Sequence, residues 1–155
     1  VVPDSVTSIG GAAFSGCTQL KEFNFPKSLQ RIQGYAFYGC SSLTSIDLPK
    51  TISYETGVFA NCSGLQVAKI NSGICLPKET FFNCPLKRLY LPSTIKTIFD
   101  SSLQGVPKTM RIVCKDNAYV EEWARKNGYK MYQKSSISSF LSNVEKEEEQ
   151  MWFLI

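Results

Sequence analysis

The chain contains no histidine. That removes the commonest general base and metal ligand, and with it Ser-His-Asp and Cys-His sites of the usual kind. Six cysteines are present, but none has C-x-x-C spacing, and a zinc site built from cysteines a full repeat apart would need their side chains to converge. Acidic neighbours such as Glu121 and Glu122 are better explained by a helix dipole than by acid-base chemistry. No run is long and apolar enough to span a bilayer, and neither an initiator Met nor a charged-then-apolar leader opens the chain. No DNA- or RNA-binding motif appears, and the basic residues are scattered. The expectation is therefore a noncatalytic protein with no cofactor, no metal and no nucleic-acid partner.

What is present is repetition. In GYAFYGCSSLTSIDLP, residues 34–49, apolar Leu43, Ile46 and Leu48 flank polar Ser45 and Asp47 with the period-two pattern of a half-buried strand, and Pro49 ends it. Upstream, Ala36, Phe37 and Cys40 have the spacing of one helical turn with its apolar side inward. Copies recur about every 22 to 23 residues, a period that points to a stacked array. The aromatic position is Phe14, Phe37, Phe59 and Phe81, then Leu103; the cysteine position is Cys17, Cys40, Cys62 and Cys84, then Val106. Gly16, Gly39, Asn61, Asn83 and Gly105 precede the cysteine position, and these residue types tolerate positive φ, so a left-handed corner is expected there. Leu20, Leu43, Leu65 and Leu86 recur in the strand region, with Met110 a looser match.

These residues resemble the BspA-type leucine-rich repeat, and SIGGAAFSGCTQLKEFNFP follows its pattern almost throughout. The resemblance covers residues 1 to about 114 and implies an α+β repeat protein. The implied architecture is a right-handed leucine-rich repeat solenoid with a parallel β-sheet on its concave side, short helical turns and a C-terminal capping helix. It also implies a protein-binding or adhesion module of a larger secreted or cell-surface protein, with a host, matrix or other cell-surface protein as partner. A structural spacer and an intracellular scaffold are the alternatives. The third and fourth units, SYETGVF and CLPKETF, depart from the pattern by losing the Ile-Gly step, so their convex side is expected to be less regular.

Residues 1–114 are expected to form five turns, at 1–25, 26–48, 49–70, 71–91 and 92–114. Because the sequence opens inside a repeat, it reads as a piece of a longer array. In the first turn Leu20, Phe23 and Phe25 should point inward. Residues 115–133 read as the cap: Asp116 or Asn117 begins a helix, Tyr119, Val120, Trp123 and Ala124 form its apolar stripe, and Glu121–Arg125 and Glu122–Lys126 are i,i+4 pairs. A helix stripe that closes the array makes Trp123 matter more to stability than the whole tail, and Tyr129 to Tyr132 should be extended. Residues 134–155 read as a linker followed by an amphipathic or disordered tail, acidic from Glu145 to Glu149 and apolar from Met151 to Ile155. Two readings of the tail stay open: it docks on a protein surface, or it begins a membrane anchor. Membrane contact is expected only through such C-terminal or absent regions.

The four in-register cysteines should be reduced, buried and stacked, since parallel Cβ vectors suit a disulfide dihedral poorly; Cys75 and Cys114 lie outside that register. The chain has 17 Lys and Arg against 13 Asp and Glu, a net charge of +4, with the basic excess before residue 134. That balance permits acidic partners. Strand alternation nominates an outward face of Glu22 and Asn24, Ser45 and Asp47, Val67 and Lys69, Arg88 and Tyr90, then Arg111 and Val113, acidic first and basic last. An extended or acidic protein segment is expected to cross it with its negative end over Lys69, Arg88 and Arg111.

Overall fold

A computed structural model describes residues 2–132; the expected tail at 134–155 lies outside the described residues. The strands are short and all their pairings are parallel. The main sheet holds β3 (Ser45–Asp47), β5 (Val67–Lys69), β7 (Arg88–Leu91), β9 (Arg111–Cys114) and β10 (Lys130–Met131), each beside the next. A second sheet orders β1 (Ser8–Ile9), β2 (Arg31–Ile32) and β4 (Ser53–Tyr54), while β6 (Cys75–Leu76) pairs with β8 (Thr97–Ile98) in a third. Apart from β1–β2 and β9–β10, strands that pair are separated in the chain by a strand of another sheet, the pairing a chain makes when it returns to the same place once per repeat.

Between the two strands of each repeat the chain does not form the expected helical turn. In a helix every N–H would point back along its own segment. Here alternate residues divide their bonds. The N–H groups of Ala13, Ser15 and Cys17 donate within the turn to the carbonyls of Gly10, Ala12 and Phe14, while those of Ala12, Phe14 and Gly16 donate to Gly34, Ala36 and Tyr38 in the next repeat. Phe37 to Val58, Phe59 to Thr80 and Phe81 to Ser102 continue the inter-repeat ladder at 2.9, 3.1 and 3.0 Å. The alternation needs two left-handed residues per corner. Gly16, Gly39, Asn61, Asn83 and Gly105 have positive φ, as expected, and a second position four residues earlier does too, at Ala12, Tyr35, Gly57 and Glu79. At Gly57 a side chain would also collide, because an added Cβ would lie 2.3 Å from Cε1 of Tyr35, whose ring crosses the glycine to donate its hydroxyl to Glu79. Only the last corner contains a helical turn, the 3-10 helix Asp100–Leu103.

Inside the corners the phenylalanines stack. Phe14 on Phe37, Phe37 on Phe59 and Phe59 on Phe81 have ring centroids 5.1, 5.4 and 5.8 Å apart at interplanar angles of 11, 19 and 10°. The cysteines form a parallel ladder: the thiols of Cys40, Cys62 and Cys84 donate to the carbonyls of Phe14, Phe37 and Phe59 at 3.1, 3.1 and 3.0 Å. All six cysteines are free, but Cys17, expected to be buried with the other three of the ladder, is only half-buried because it lies in the first described repeat. Each fully buried Leu, Ile or Phe beneath the sheets contributes on the order of 1.5–3 kcal/mol by burial.

Irregularity falls where the third and fourth units lose their pattern. The N–H groups of Gln33, Glu55 and Phe99 donate to Ile9, Ile32 and Leu76, fastening β2 to β1, β4 to β2 and β8 to β6. The corresponding donor for Tyr54 would be residue 77, which is proline and has no N–H. The outer sheet accordingly stops after β4 and restarts at β6.

The first unit also departs from expectation. Leu20, Phe23 and Phe25 pack against the core from half-buried positions, but residues 21–25 are not a strand. Phe23 and Phe25 place rings where later units carry Ile, Ala or Leu, and they fill the space against Phe14 and Phe37 with centroid distances of 4.8 to 5.7 Å. Rings of that size hold this segment away from β3.

After β9 the helix α1 (Ala118–Lys126) is capped by Asn117, whose Oδ1 accepts from the Val120 N–H at 3.0 Å. The Asn117 Nδ2 donates to the carbonyls of Ser93 and Ile95 at 3.0 and 2.7 Å, tying the helix start to the preceding repeat. Val120 and Ala124 are fully buried, whereas Trp123 is half-buried and stacks on Tyr129 at 5.8 Å. The apolar contact therefore centres on Val120 and Ala124, and Tyr119 stands partly exposed. Arg125 bonds Glu122 at i−3 in place of the expected Glu121, and Lys126 pairs with Glu122 at 3.3 Å.

Candidate functional site

The outward residues of the main sheet are placed by the register of its parallel strands. Ser45 pairs with Val67, Val67 with Arg88, Arg88 with Arg111, and Arg111 with Lys130, which makes one row across five strands. A second row runs Asp47, Lys69, Tyr90 and Val113. Between the rows Ile46, Ala68, Leu89 and Ile112 point down and are buried, so the outward residues stand on a packed floor. Eight of the ten nominated face residues therefore share one surface. Glu22 and Asn24 are exposed, but they lie outside the sheet, because residues 21–25 are not a strand.

Strand spacing of ~4.8 Å sets the repeat along each row. Arg88, Arg111 and Lys130 consequently form three successive cations on neighbouring strands, and none of the outward positions on β7, β9 and β10 carries a carboxylate. The one acid of the sheet face, Asp47, sits at the far edge with its Oδ2 3.8 Å from Nζ of Lys69. Both side chains are about 40% exposed, so this pair is worth ~0–1 kcal/mol. Asp47 also accepts a hydrogen bond from the Asn71 side-chain amide, which donates to the Leu48 carbonyl at 2.6 Å as well. The face is thus polarised, with a compensated acid at one edge and an uninterrupted basic row at the other.

Lys130 was not among the nominated residues. Its signal was the short alternation of Lys130, Met131 and Tyr132 after the helix, which becomes part of the face only through the pairing of β10 with β9. On the opposite side of the repeats, Glu55 accepts from Arg31 and from the Gly34 N–H, and the Arg31 bond holds its carboxyl below the usual value. That ion pair joins repeats and leaves no open chemistry. The Cys40 thiol is raised well above its ordinary value by its Cys62 neighbour and by burial. Cys62 is pushed up to about 12: its bond with Cys40 lowers it, and the bond with Cys84 together with burial outweighs that. Protonated, buried thiols are poor nucleophiles and poor metal ligands.

Two grooves lie elsewhere. One of about 550 Å³ is lined by Phe14, Leu20, Phe23 and Phe25 of the first unit. One of about 380 Å³ lies between the last corner and α1, beside Lys108, whose Nζ sits 3.9 Å from the centre of the Tyr129 ring. Neither gathers a set of convergent titratable groups.

Parallel sheets laid down once per repeat, a phenylalanine stack and a cysteine ladder define a protein of the repeat class. The model of the BspA type leucine rich repeat region matches residues 1–109 in six copies, and the chain belongs to that family. A search of curated proteins gives no match. Family membership supports a protein-binding or adhesion repeat module, and repeat proteins of this kind are generally noncatalytic. Among the described residues no helix is long and apolar enough to cross a membrane.

Proposed function

We propose that this chain is a noncatalytic recognition module of a secreted or cell-surface protein. Its repeats wind as a right-handed solenoid, α1 caps the last turn, and the main sheet forms the concave face on which a host, matrix or other cell-surface protein binds. The ligand segment is extended and acidic, with its negative end over Lys69, Arg88, Arg111 and Lys130 and an apolar side chain against Tyr90. The single observation that carries this reading is the strand register that lines up Arg88, Arg111 and Lys130 on a rigid, packed floor. A preformed cationic row meets a ligand at little ordering cost, and Arg and Tyr are the residue types that most often anchor interfaces.

The test is binding to a panel of immobilised matrix and cell-surface proteins, followed by paired substitutions in the full chain. Arg88→Ala with Tyr90→Ala should weaken binding at least tenfold, while Lys27→Ala with Lys50→Ala, both exposed near the turns, should leave it within twofold. Equal losses would mean diffuse charge attraction with no defined site. Indifference to both pairs would favour a spacer.

A further inference from the structure

We propose that Asn61 is an acceptor for an N-linked glycan, carried on its side-chain Nδ2 and projecting over the open corners at Gly39 and Gly16. The inference rests on the reading of this chain as part of a secreted or cell-surface protein, because the transfer takes place along the export route.

The sequence supplies the acceptor. Among all the asparagines of the chain only Asn61 opens the pattern Asn-x-Ser/Thr, as Asn61-Cys62-Ser63. Its counterpart in the next repeat, Asn83, is followed by Cys84 and Pro85 and lacks the hydroxyl.

The corner supplies the geometry. Asn61 lies in a turn with φ 58° and is half-buried, and Ser63 is exposed. Nδ2 of Asn83 donates to Oδ1 of Asn61 at 3.1 Å, so Asn61 turns its oxygen toward the next repeat. Its own Nδ2 makes no bond to any described residue. The repeat carries one corner onto the next, so that nitrogen points back toward the preceding corner, as Nδ2 of Asn83 does. The residue there is Gly39, and before it Gly16; a Cβ added at either would meet nothing within 4 Å. Toward the C-terminal side the space is taken, since a Cβ at Gly105 would lie 2.1 Å from Oδ1 of Asn83. The acceptor pattern thus falls on the corner asparagine whose nitrogen faces open space. Attachment at Nδ2 leaves Oδ1, the atom the fold uses, able to accept from Asn83.

The co-reactant is an oligosaccharide linked to a lipid pyrophosphate. Nδ2 of Asn61 loses a proton and bonds to the first sugar carbon, while the bond from that carbon to the pyrophosphate oxygen breaks and the lipid pyrophosphate leaves with the electron pair. The N–H of Asn61 donates to the Phe82 carbonyl at 2.7 Å, so its corner closes only when the next repeat arrives. At ordinary synthesis rates that leaves roughly 1–4 s in which the segment is open to a transferase.

The experiment expresses the full chain behind a cleavable leader in a secreting eukaryotic cell and reads the tryptic peptide 51–69 by mass spectrometry, in cell extract and medium alike. Most of the wild-type chain should carry hexose and N-acetylhexosamine on that peptide, and peptide N-glycosidase should remove them and leave a carboxylate at position 61. Ser63→Ala should abolish the glycan and Ser63→Thr should keep it. The Ser63 side chain is exposed and bonds no described residue, so Ser63→Ala keeps the fold, which far-UV circular dichroism checks. The glycosylated wild type and the Ser63→Ala chain should have equal urea midpoints, because the sugar stands over an empty corner. A wild-type chain without the glycan overturns the proposal, as does a glycan that survives Ser63→Ala. A lower midpoint for the glycosylated chain overturns it too, since Nδ2 would then face packed structure. The added leader exports the chain whatever its natural address, so failure here concerns Asn61 alone. The sheet-face reading is tested separately on unglycosylated chain, by panel binding and its response to Arg88 and Tyr90.

Discussion

Phe59 sits in the middle of the aromatic stack, fully buried, with Phe37 on one side at 5.4 Å, Phe81 on the other at 5.8 Å and Phe25 edge-on at 6.5 Å. Phe59→Ala removes the whole ring from a site whose walls are backbone ladders that cannot collapse without breaking the corner bonds. The expected cost is the upper range for a core aromatic, ~4–5 kcal/mol. Phe14→Ala is the internal control: Phe14 is half-buried and has one stacking partner in the ladder, so its loss should cost about half as much, ~2 kcal/mol. Total stability of a domain this size is of order 5–15 kcal/mol, so Phe59→Ala removes a large share of it. For a chain of this length the melting temperature should fall by roughly 10–20 °C. Urea unfolding followed by far-UV circular dichroism measures both variants. Because most contacts of each repeat are with its immediate neighbours, a weakened central repeat should also split the transition, lowering the apparent m-value. A Phe59→Ala cost below ~1.5 kcal/mol, or one equal to that of Phe14→Ala, would refute the account of the stack as the shared core of the repeats.

Two further outcomes are expected. In native protein at pH 8 an aromatic disulfide reagent should label Cys17 and Cys75, which are half-buried, and spare Cys40, Cys62, Cys84 and Cys114. Folding raises the Cys62 thiol from its ordinary value near 9 to about 12 and Cys114, chiefly by burial, to about 11, so the stability tied to the protonated thiols is intact below pH 9. It is lost as pH rises through 11 to 12, and urea midpoints across that range, compared with a Cys62→Ala variant, check the sign. Asn117→Ala should cost ~2–4 kcal/mol, combining a lost helix cap with two carbonyls left without their donor. Asn117→Asp keeps the cap acceptor but sets a carboxylate against the Ser93 and Ile95 carbonyls, and should be no better than Ala; full stability of the Asp variant would show that the bridge to those carbonyls does not matter.

The parts of this fold legible in the sequence are those where one residue type carries one job. Phe at the stack, Cys at the ladder and Gly or Asn at the second corner position recur because volume, hydrogen bonding and positive φ restrict the choice. The first corner position is equally constrained in φ, yet it holds Ala12, Tyr35, Gly57 and Glu79. The requirement there comes from bonds to the next repeat, and Ala12, Tyr35 and Glu79, which carry a Cβ, occupy it at a cost of about 1–2 kcal/mol each. No local pattern reveals it. The break between β4 and β6 was visible as a lost motif; its cause, the missing N–H of Pro77, emerges only when residue 77 is aligned with Gln33, Glu55 and Phe99 as a ladder donor. Glu22 and Asn24 obeyed the alternation of the face but failed to join it. Period two fixes which way a side chain points, whereas ladder formation depends on the volume that Phe23 and Phe25 put beneath the strand.

The candidate site follows a different logic, because the sheet's outward positions are nearly free of folding constraint. Like charges 5–7 Å apart in water repel by only ~0.6–0.8 kcal/mol before salt screening. The Arg88–Arg111–Lys130 row therefore opposes folding by no more than one or two kcal/mol, while Leu89 and Ile112 between its strands contribute on the order of 1.5–3 kcal/mol each by burial. The floor wins, and the row can carry whatever chemistry its surface requires. On the proposed reading the same arithmetic favours anions at the row: a segment with two or three carboxylates would relieve the repulsion and add attraction, and both gains would shrink as ionic strength rises. If the proposed site is right, it should bind strongly charged partners steeply and neutral ones hardly at all, and its selectivity should lie in the spacing of the partner's charges along a line and much less in its overall shape.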